Sequence, residues 1–459
     1  MNVIHTYWSK PSIQSKGDHS SSWLSEKHHA MSWAFSMLRI KKLGHTIILY
    51  TDSAGYDWLI NKLGLPYDEV KTELDCLDIP ENLWSLAKIW VYSQQKEPFI
   101  HIDGDVYIWD DAFFQNIDDL SVVCQHIERG YPYYEEQYHS LLQAKFLLPS
   151  EYFPSDPDLF KNTALNCGVI GGNAFQLFEN LWETSSTLYY KNKEKCRALT
   201  EKYNTLFEQY LIHAIAGTLH LKIKPVFTQE VIFNDDFYIE FHSVPFEKKY
   251  VHLLTASKRT VRLLKELENR LQYEFPMYFQ KIASVYEAVN DFPDLSEQII
   301  NDNIRKVYEY SKTLPNQDAL NTIIYDLLYA DKFKIDDFLS NKFLLSEKHH
   351  TIELSNGYNG LVDKSIDSLP EENSTDIIQH FICKWNNRIF VEEINNWNNL
   401  LCVFEEKTSG LELLEMINEL NLINEEDVDR AKELVFTFLI SKTIGFQELK
   451  IIINNCSHP

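Results

Sequence analysis

Residues 98 to 110 read Pro-Phe-Ile-His-Ile-Asp-Gly-Asp-Val-Tyr-Ile-Trp-Asp. Phe99, Ile100 and Ile102 form a short apolar run of the kind that makes a buried strand. The run delivers two carboxylates, Asp103 and Asp105, separated by Gly104. Carboxylate oxygens suit hard divalent cations, which commonly bridge a protein to phosphate oxygens. Gly104 leaves the backbone bare where a ligand could approach. The bland alternative is a solvated acidic turn. Two other Asp-x-Asp sequences occur, Asp156-Pro157-Asp158 in a Pro-rich loop and Asp427-Val428-Asp429 in a charged helical stretch. Only Asp103 and Asp105 end an apolar strand, at the carboxyl edge where open α/β sheets gather ligands.

The surrounding sequence alternates strand-like and helix-like segments through about residue 260. Strands are expected at Val3–Tyr7, Thr46–Tyr50, Phe99–Ile102, Leu120–His126, Ala164–Asn173, Lys222–Phe227 and Tyr250–Leu254. Helices are expected at Trp23–Lys42, Tyr56–Leu63, Asn82–Gln95, Phe175–Glu201 and Tyr203–Ala216, and residues 129 to 163 read as loop. Strands spaced by helices in this way indicate a mostly parallel α/β sheet with flanking helices. Beyond 260 glycine nearly disappears, and the pattern is mainly α-helical. The expected division is 1–260, 261–354 and 375–459, with Ser355–Ser374 as turns or a linker and helices resuming from Thr375.

The chain has 459 residues, 44% of them hydrophobic, and a net charge of −24. Such acidity argues against a broad nucleic-acid-binding or anionic-membrane-binding face. Seven scattered cysteines without metal-ligand spacing read as reduced thiols. No apolar run is long enough to span a membrane, and the start leads directly into a strand. A cytoplasmic protein is expected.

Several pieces come in a fixed order: Thr6-Tyr7 ending the first strand, Leu-Trp-Ser-Leu-Ala-Lys-Ile-Trp (83–90), Phe-Ile-His-Ile-Asp-Gly-Asp-Val (99–106), Leu-Asn-Cys-Gly-Val-Ile-Gly-Gly (165–172), Phe-Glu-Gln-Tyr-Leu-Ile-His (207–213) and Val-His-Leu-Leu-Thr-Ala-Ser-Lys (251–258). Over residues 1–260 this set resembles the GT-A (Rossmann-like) nucleotide-sugar glycosyltransferases. It is similar to uncharacterised bacterial members and, more distantly, to the retaining galactosyltransferase and glycogenin group.

The resemblance implies a hexosyl- or N-acetylhexosaminyl-transferase using Mn²⁺ or Mg²⁺ and a nucleoside-diphosphate sugar, with uridine diphosphate the expected carrier. It implies Asp103, Asp105 and His252 as metal ligands. Thr6, Tyr7, Asp52, Lys88, Gly104 and Lys258 fall on the nucleotide and donor side. The glycine often found between the positions of His252 and Lys258 is replaced by Thr255-Ala256-Ser257. Asn166, Cys167, Gly168 and Gln209 fall on the acceptor side, and Glu208 is the candidate catalytic carboxylate, as a base or as a stabiliser of a cationic sugar.

Each position also has a plain structural reading. His252 could be a core histidine, Tyr7 a packed aromatic, Asp52 a helix cap, Lys88 a solvated lysine, Cys167 a packing residue and Glu208 an exposed helix residue. His28 and His29 are adjacent on a helix and cannot chelate together, and His101 reads as a packed strand histidine.

The acceptor stays open between a hydroxyl or other nucleophile of a peptide, protein or glycan, and homodimerisation stays open too. Phe404 to Leu420 and the helix from Asp427 to Ser441 are weakly similar to peptide-clamping winged-helix domains; a generic helical bundle is the alternative. Two competing functions are a sugar-phosphate nucleotidyltransferase and a non-catalytic sugar-nucleotide-binding module. The first usually needs a Gly-rich basic loop after the first strand, which residues 8–22 lack.

Overall fold

The computed structural model describes residues 2–114, 121–152, 163–227 and 236–286, and shorter stretches between 306 and 452. The chain divides into two compact units, residues 1–240 with 249–258, and residues 241–248 with 259–459.

The first unit contains strands β1 (Asn2–Tyr7), β2 (Thr46–Thr51), β3 (Glu69–Lys71), β4 (Phe99–Ile102), β5 (Val106–Ile108), β6 (Ser121–Cys124), β7 (Ile127–Arg129), β8 (Thr163–Leu165), β9 (Val169–Gly172), β10 (Lys222–Pro225) and β11 (Tyr250–His252). Seven of them form one sheet in the order β10-β6-β9-β4-β1-β2-β3. Pairing is parallel except at β9, which runs antiparallel to both β4 and β6. The apolar residues of β1, β2 and β4 are almost completely buried, as expected of strands covered on both faces. Helices Glu26–Lys42 and Ser85–Ser93 supply crossovers between the parallel strands. Ser25 caps the first of these by accepting from the His28 N–H, and Gly44, at φ 83°, turns the chain out of it.

Two small antiparallel pairs, β5 with β11 and β7 with β8, stand apart from the main sheet. They decide the site. The stretch read as one strand at 164–173 is two, β8 and β9, in different sheets, because the chain turns at Asn166–Gly168. Residues 129–163 were expected to be loop, yet Pro132–Gln143 is a helix. Pro132 opens it, and Tyr134, Gln137 and Leu141 form its buried face. The Tyr-rich, polar composition hid that periodicity. The expected helix at Asn82–Gln95 is shorter: a 3₁₀ turn at Glu81–Leu83 precedes helix Ser85–Ser93. The loop holding Asp156 and Asp158 lies outside the described residues.

The second unit has helices Val261–Glu274, Pro276–Tyr286, Thr322–Leu328, Ile335–Leu339, Gly410–Glu419 and Val428–Ile444. It is not mainly helical throughout. Strands β12 (Lys342–Leu345), β13 (Thr351–Leu354), β14 (Gly360–Val362), β15 (Ile378–Trp385), β16 (Arg388–Glu393), β17 (Thr408–Ser409) and β18 (Leu449–Ile452) form sheets β17-β12-β18 and β13-β15-β16-β14. Helices were expected from Thr375 onward. The β-branched and aromatic runs Ile-Gln-His-Phe-Ile-Cys-Lys-Trp and Arg-Ile-Phe-Val-Glu-Glu instead pair as a hairpin. Of the stretch 355–374 only β14 is described. A core of Phe338, Leu339, Phe404, Val435 and Leu439, among others, holds the helices of this unit together. Among the described residues no helix is long and apolar enough to cross a membrane.

Candidate metal centre

Asp103 follows β4, and the chain then turns into β5. The turn is fixed by backbone bonds from Asp103 N to Gly168 O (3.0 Å) and from Val106 N to Asp103 O (3.1 Å). β5 pairs antiparallel with β11 so that His252 stands opposite Val106, and Leu253 N donates to Asp105 O at 3.0 Å. This ribbon carries a distant histidine to the two aspartates. One ligand atom from each of Asp103, Asp105 and His252 lies within 4.8 Å of the others.

Charge around the three residues is closely matched. Lys258 Nζ is 2.7 Å from Asp105 Oδ2, and His252 Nε2 is 3.4 Å from Asp105 Oδ1. Burial raises the Asp105 pKa, but Lys258 and His252 outweigh it and hold the carboxyl far below the usual carboxylate range. Lys88, almost fully buried, lies 2.9 Å from Asp103 Oδ1 and 3.1 Å from Glu208 Oε1. Tyr92 donates to the same Glu208 oxygen at 2.7 Å. Burial pushes the Asp103 and Glu208 carboxyls up, each reinforced by a neighbouring carboxylate and opposed by Lys88. Lys88 is itself held charged by Asp103 and Glu208 against the opposing effect of burial. It is a bridging cation rather than a solvated lysine. Glu208 and Gln209 sit on a π-helical turn, Leu206–Tyr210, ahead of helix Leu211–Thr218.

The other sequence candidates have the following partners. Asp52 caps the short helix Ser53–Tyr56 by accepting from Gly55 N (2.9 Å), and its second oxygen accepts from Ser9 N and Oγ (3.1 and 2.8 Å). Both of its oxygens thus accept hydrogen bonds inside the protein. Tyr7 is buried and bonded to His19 Nδ1 at 2.6 Å, within a cluster of His19, His29, Trp33 and Trp58. Its ring packs against these side chains. Thr6 Oγ1 meets His101 Nε2 at 3.1 Å, and burial keeps His101 neutral. Gly104 is not bare: a Cβ there would come within 2.5 Å of the Trp33 indole. Cys167 is a buried thiol whose pKa is driven up by burial and by Glu208, and its Sγ donates to Leu165 O at 3.3 Å. His28 and His29 have separate partners, Ser25 Oγ for one and Trp33 Nε1 for the other.

Asn166 Oδ1 accepts from Gly168 N (3.1 Å) while its Nδ2 donates to Glu128 (2.8 Å). Glu128 also accepts from Tyr133 and Tyr134, and the Tyr134 hydroxyl lies 2.6 Å from Gln209 Oε1. Sequence reasoning missed Tyr92, Gln125, Glu128 and Tyr134. Gln125 touches His252 Nδ1 through its Oε1 at 2.7 Å. The available signal was the polar run Gln125-His126 directly after an apolar strand, and a glutamate within the short strand that follows.

A family model described as a family of unknown function (DUF6734) matches residues 1–285. The chain belongs to that family. Among curated proteins none matches. Solved structures similar over part of the chain include mouse xyloside xylosyltransferase 1, at 10% identity over 49% of this chain and 85% of that one, with a TM-score of 0.29. The galactosyltransferase LgtC, solved with donor and acceptor sugar analogues, is 11% identical over 48% of this chain and 70% of its own, with a TM-score of 0.26. The inositol-1-phosphate CTP transferase of T. maritima is 10% identical over 61% and 96%, with a TM-score of 0.28. Likeness at this level says nothing of activity.

Proposed function

We propose that this DUF6734 member is a metal-dependent glycosyltransferase that moves a hexosyl or N-acetylhexosaminyl group from a nucleoside-diphosphate sugar, uridine diphosphate foremost, to a nucleophile on an acceptor. One observation carries the reading: Asp103, Asp105 and His252 converge, and Asp105 Oδ1 is buried without a hydrogen-bond partner. A buried carboxylate oxygen left unpaired costs about 1–3 kcal/mol or more. Asp103, Asp105 and His252 would hold a divalent cation, which would give Asp105 Oδ1 the partner it lacks here. Two carboxylates and an imidazole suit Mn²⁺, and the oxygens suit Mg²⁺.

When bound, the ion supplies Lewis-acid neutralisation of the charge that builds on a departing diphosphate. The protein's own part follows from its charges. Lys258 adds a second positive point beside Asp105. Lys88 holds Asp103 and Glu208 in fixed positions. Glu208, buried beside Lys88 and bonded by Tyr92, is the candidate carboxylate, as a base or as a stabiliser of a cationic sugar. Glu208 and Gln209 owe their placement to a π-helical turn, a feature frequent at functional sites. The second unit, residues 375–459 included, is proposed to serve acceptor or partner binding.

The test is a thermal-shift series of nucleoside diphosphates with and without Mn²⁺. A ligand that binds only the folded state raises its apparent stability. Uridine diphosphate should raise Tm only when Mn²⁺ is present, and Asp105→Ala should remove that rise. No shift with any base would overturn the reading. Mass spectrometry of candidate acceptors after incubation with donor then separates turnover from binding alone. A nucleotidyltransferase is disfavoured because residues Lys10–Lys16, where its phosphate loop would be expected, form a helix.

A further inference from the structure

Gln125 lies just beyond β6 and is fully buried. Its Oε1 receives two groups, the Tyr250 hydroxyl at 2.6 Å and His252 Nδ1 at 2.7 Å. Its Nε2 faces His126 Nδ1 at 3.3 Å. The 2.6 Å contact with tyrosine fits O–H···O and is short for N–H···O, whose usual range begins near about 2.7 Å. That places the amide oxygen, rather than the nitrogen, against Tyr250 and His252. Two donors then converge on one oxygen, which has two lone pairs to offer.

This orientation fixes two tautomers. His252 must carry a proton on Nδ1 to donate to Gln125, which turns Nε2 toward Asp105 Oδ1, 3.4 Å away. His126 must carry its proton on Nε2, because a side-chain amide nitrogen can only donate to its Nδ1. His126 Nε2 is buried and without a partner. Gly168 makes room for the arrangement: a Cβ there would strike both the His252 ring and Gln125 Oε1.

We infer that Gln125 is the positioning residue of this metal centre, setting His252 in the Nδ1–H tautomer so that Nε2 is available to a cation before one arrives. The inference rests on the metal-centre reading above. Partners of this kind, bonded to the far nitrogen of a ligating histidine, typically matter about 10–100-fold in metal affinity.

The experiment has two parts, both on the full chain and using MnCl₂ alone as the probe. The ¹⁵N spectrum of imidazole nitrogens in the metal-free wild-type protein at neutral pH, with His252 and His126 identified through His252→Gln and His126→Gln, reads the tautomers directly. Nδ1–H at His252 and Nε2–H at His126 are expected; the reverse pair would overturn the inference. Mn²⁺ affinity, by electron paramagnetic resonance, should fall about 10–100-fold in Gln125→Leu and return toward wild type in Gln125→Glu, which keeps an acceptor oxygen. Wild-type affinity in Gln125→Leu would sink the inference while leaving the metal centre standing. Absence of Mn²⁺ binding by the wild-type protein would remove both. Should Gln125→Leu fail to fold, the wild-type tautomer spectrum decides alone.

Discussion

Gly168 and His252 share one space. A methyl group on Gly168 would lie 2.6 Å from His252 Nδ1, closer than Cβ atoms approach other side chains. The glycine at 168 is therefore required by the histidine that reaches it across the β5–β11 ribbon. Gly168→Ala should displace His252 and Gln125 together. Overpacking of this kind costs about 1–3 kcal/mol, so urea unfolding should show a loss of that size. Isothermal titration should show Mn²⁺ affinity reduced by more than the loss of fold stability explains. Unchanged affinity would mean that His252 is not constrained from this side.

Lys88 neutralises two carboxylates that share one buried region. Lys88→Met leaves Asp103 and Glu208 facing each other without a cation, and breaking a buried pair in this way costs about 3–5 kcal/mol. Glu208→Gln in the same chain should restore part of that loss, because one of the two charges is gone. Denaturant midpoints of the two single variants and the double variant measure the coupling. Strict additivity would show that Lys88 and Glu208 do not interact.

Acid should weaken the first unit well before its carboxylates titrate. Burial lowers the pKa of His5 and His29 to about 3, and that of His126 and His213 to about 4. An unfolded histidine takes a proton near 6.5, so between that pH and the folded value the unfolded chain binds more protons. Stability then rises with pH and falls as pH drops through this window, by up to about 1.4 kcal/mol per pH unit for each such group. Unfolding midpoints should decline steadily from pH 7 to pH 5. A flat profile over that range would show that these rings protonate in the folded state.

Glu412 has the opposite sign. Together with Ser409 it closes a capping box at the start of helix Gly410–Glu419: Ser409 N donates to Glu412 Oε2 at 2.6 Å, and Glu412 N donates to Ser409 Oγ at 3.2 Å. Lys342, followed by the Ser409 backbone and hydroxyl, lowers the Glu412 carboxyl to about 2. Its contribution is complete above the unfolded value near 4.5 and is lost as pH falls toward 2. Glu412→Gln should therefore cost most near neutral pH and little near pH 2. Circular dichroism melts at the two extremes compare the costs, and an equal cost at both would remove the charge from the explanation.

Much of the first unit was legible because strand and helix periods differ, and β1, β2 and β4 keep theirs without interruption. Asp103 and Asp105 stood out for the same reason, a polar pair ending an apolar run. The local sequence could not say which oxygens were already engaged. Asp52 and Tyr7 end their strands as ligand-facing residues do, yet a helix cap and an aromatic cluster use them. Gln125 and Glu128 were invisible because their importance comes from pairings between β5 and β11 and between β7 and β8, short strands that leave little local pattern. The hairpin of β15 and β16 was missed even though both runs are rich in β-branched and aromatic residues, because the helical patterns on either side were extended across it.

The indole of Trp33 fills the side of Gly104 that a side chain would occupy. The smallest residue between the two aspartates is thus dictated from the interior, by a ring on another element. Across family members the two positions should change together. Where residue 33 is small, position 104 is released to carry a side chain; where the indole stays, only glycine can follow. Paired inheritance of these two sites, rather than the spacing of the aspartates alone, would mark the chains that keep this geometry.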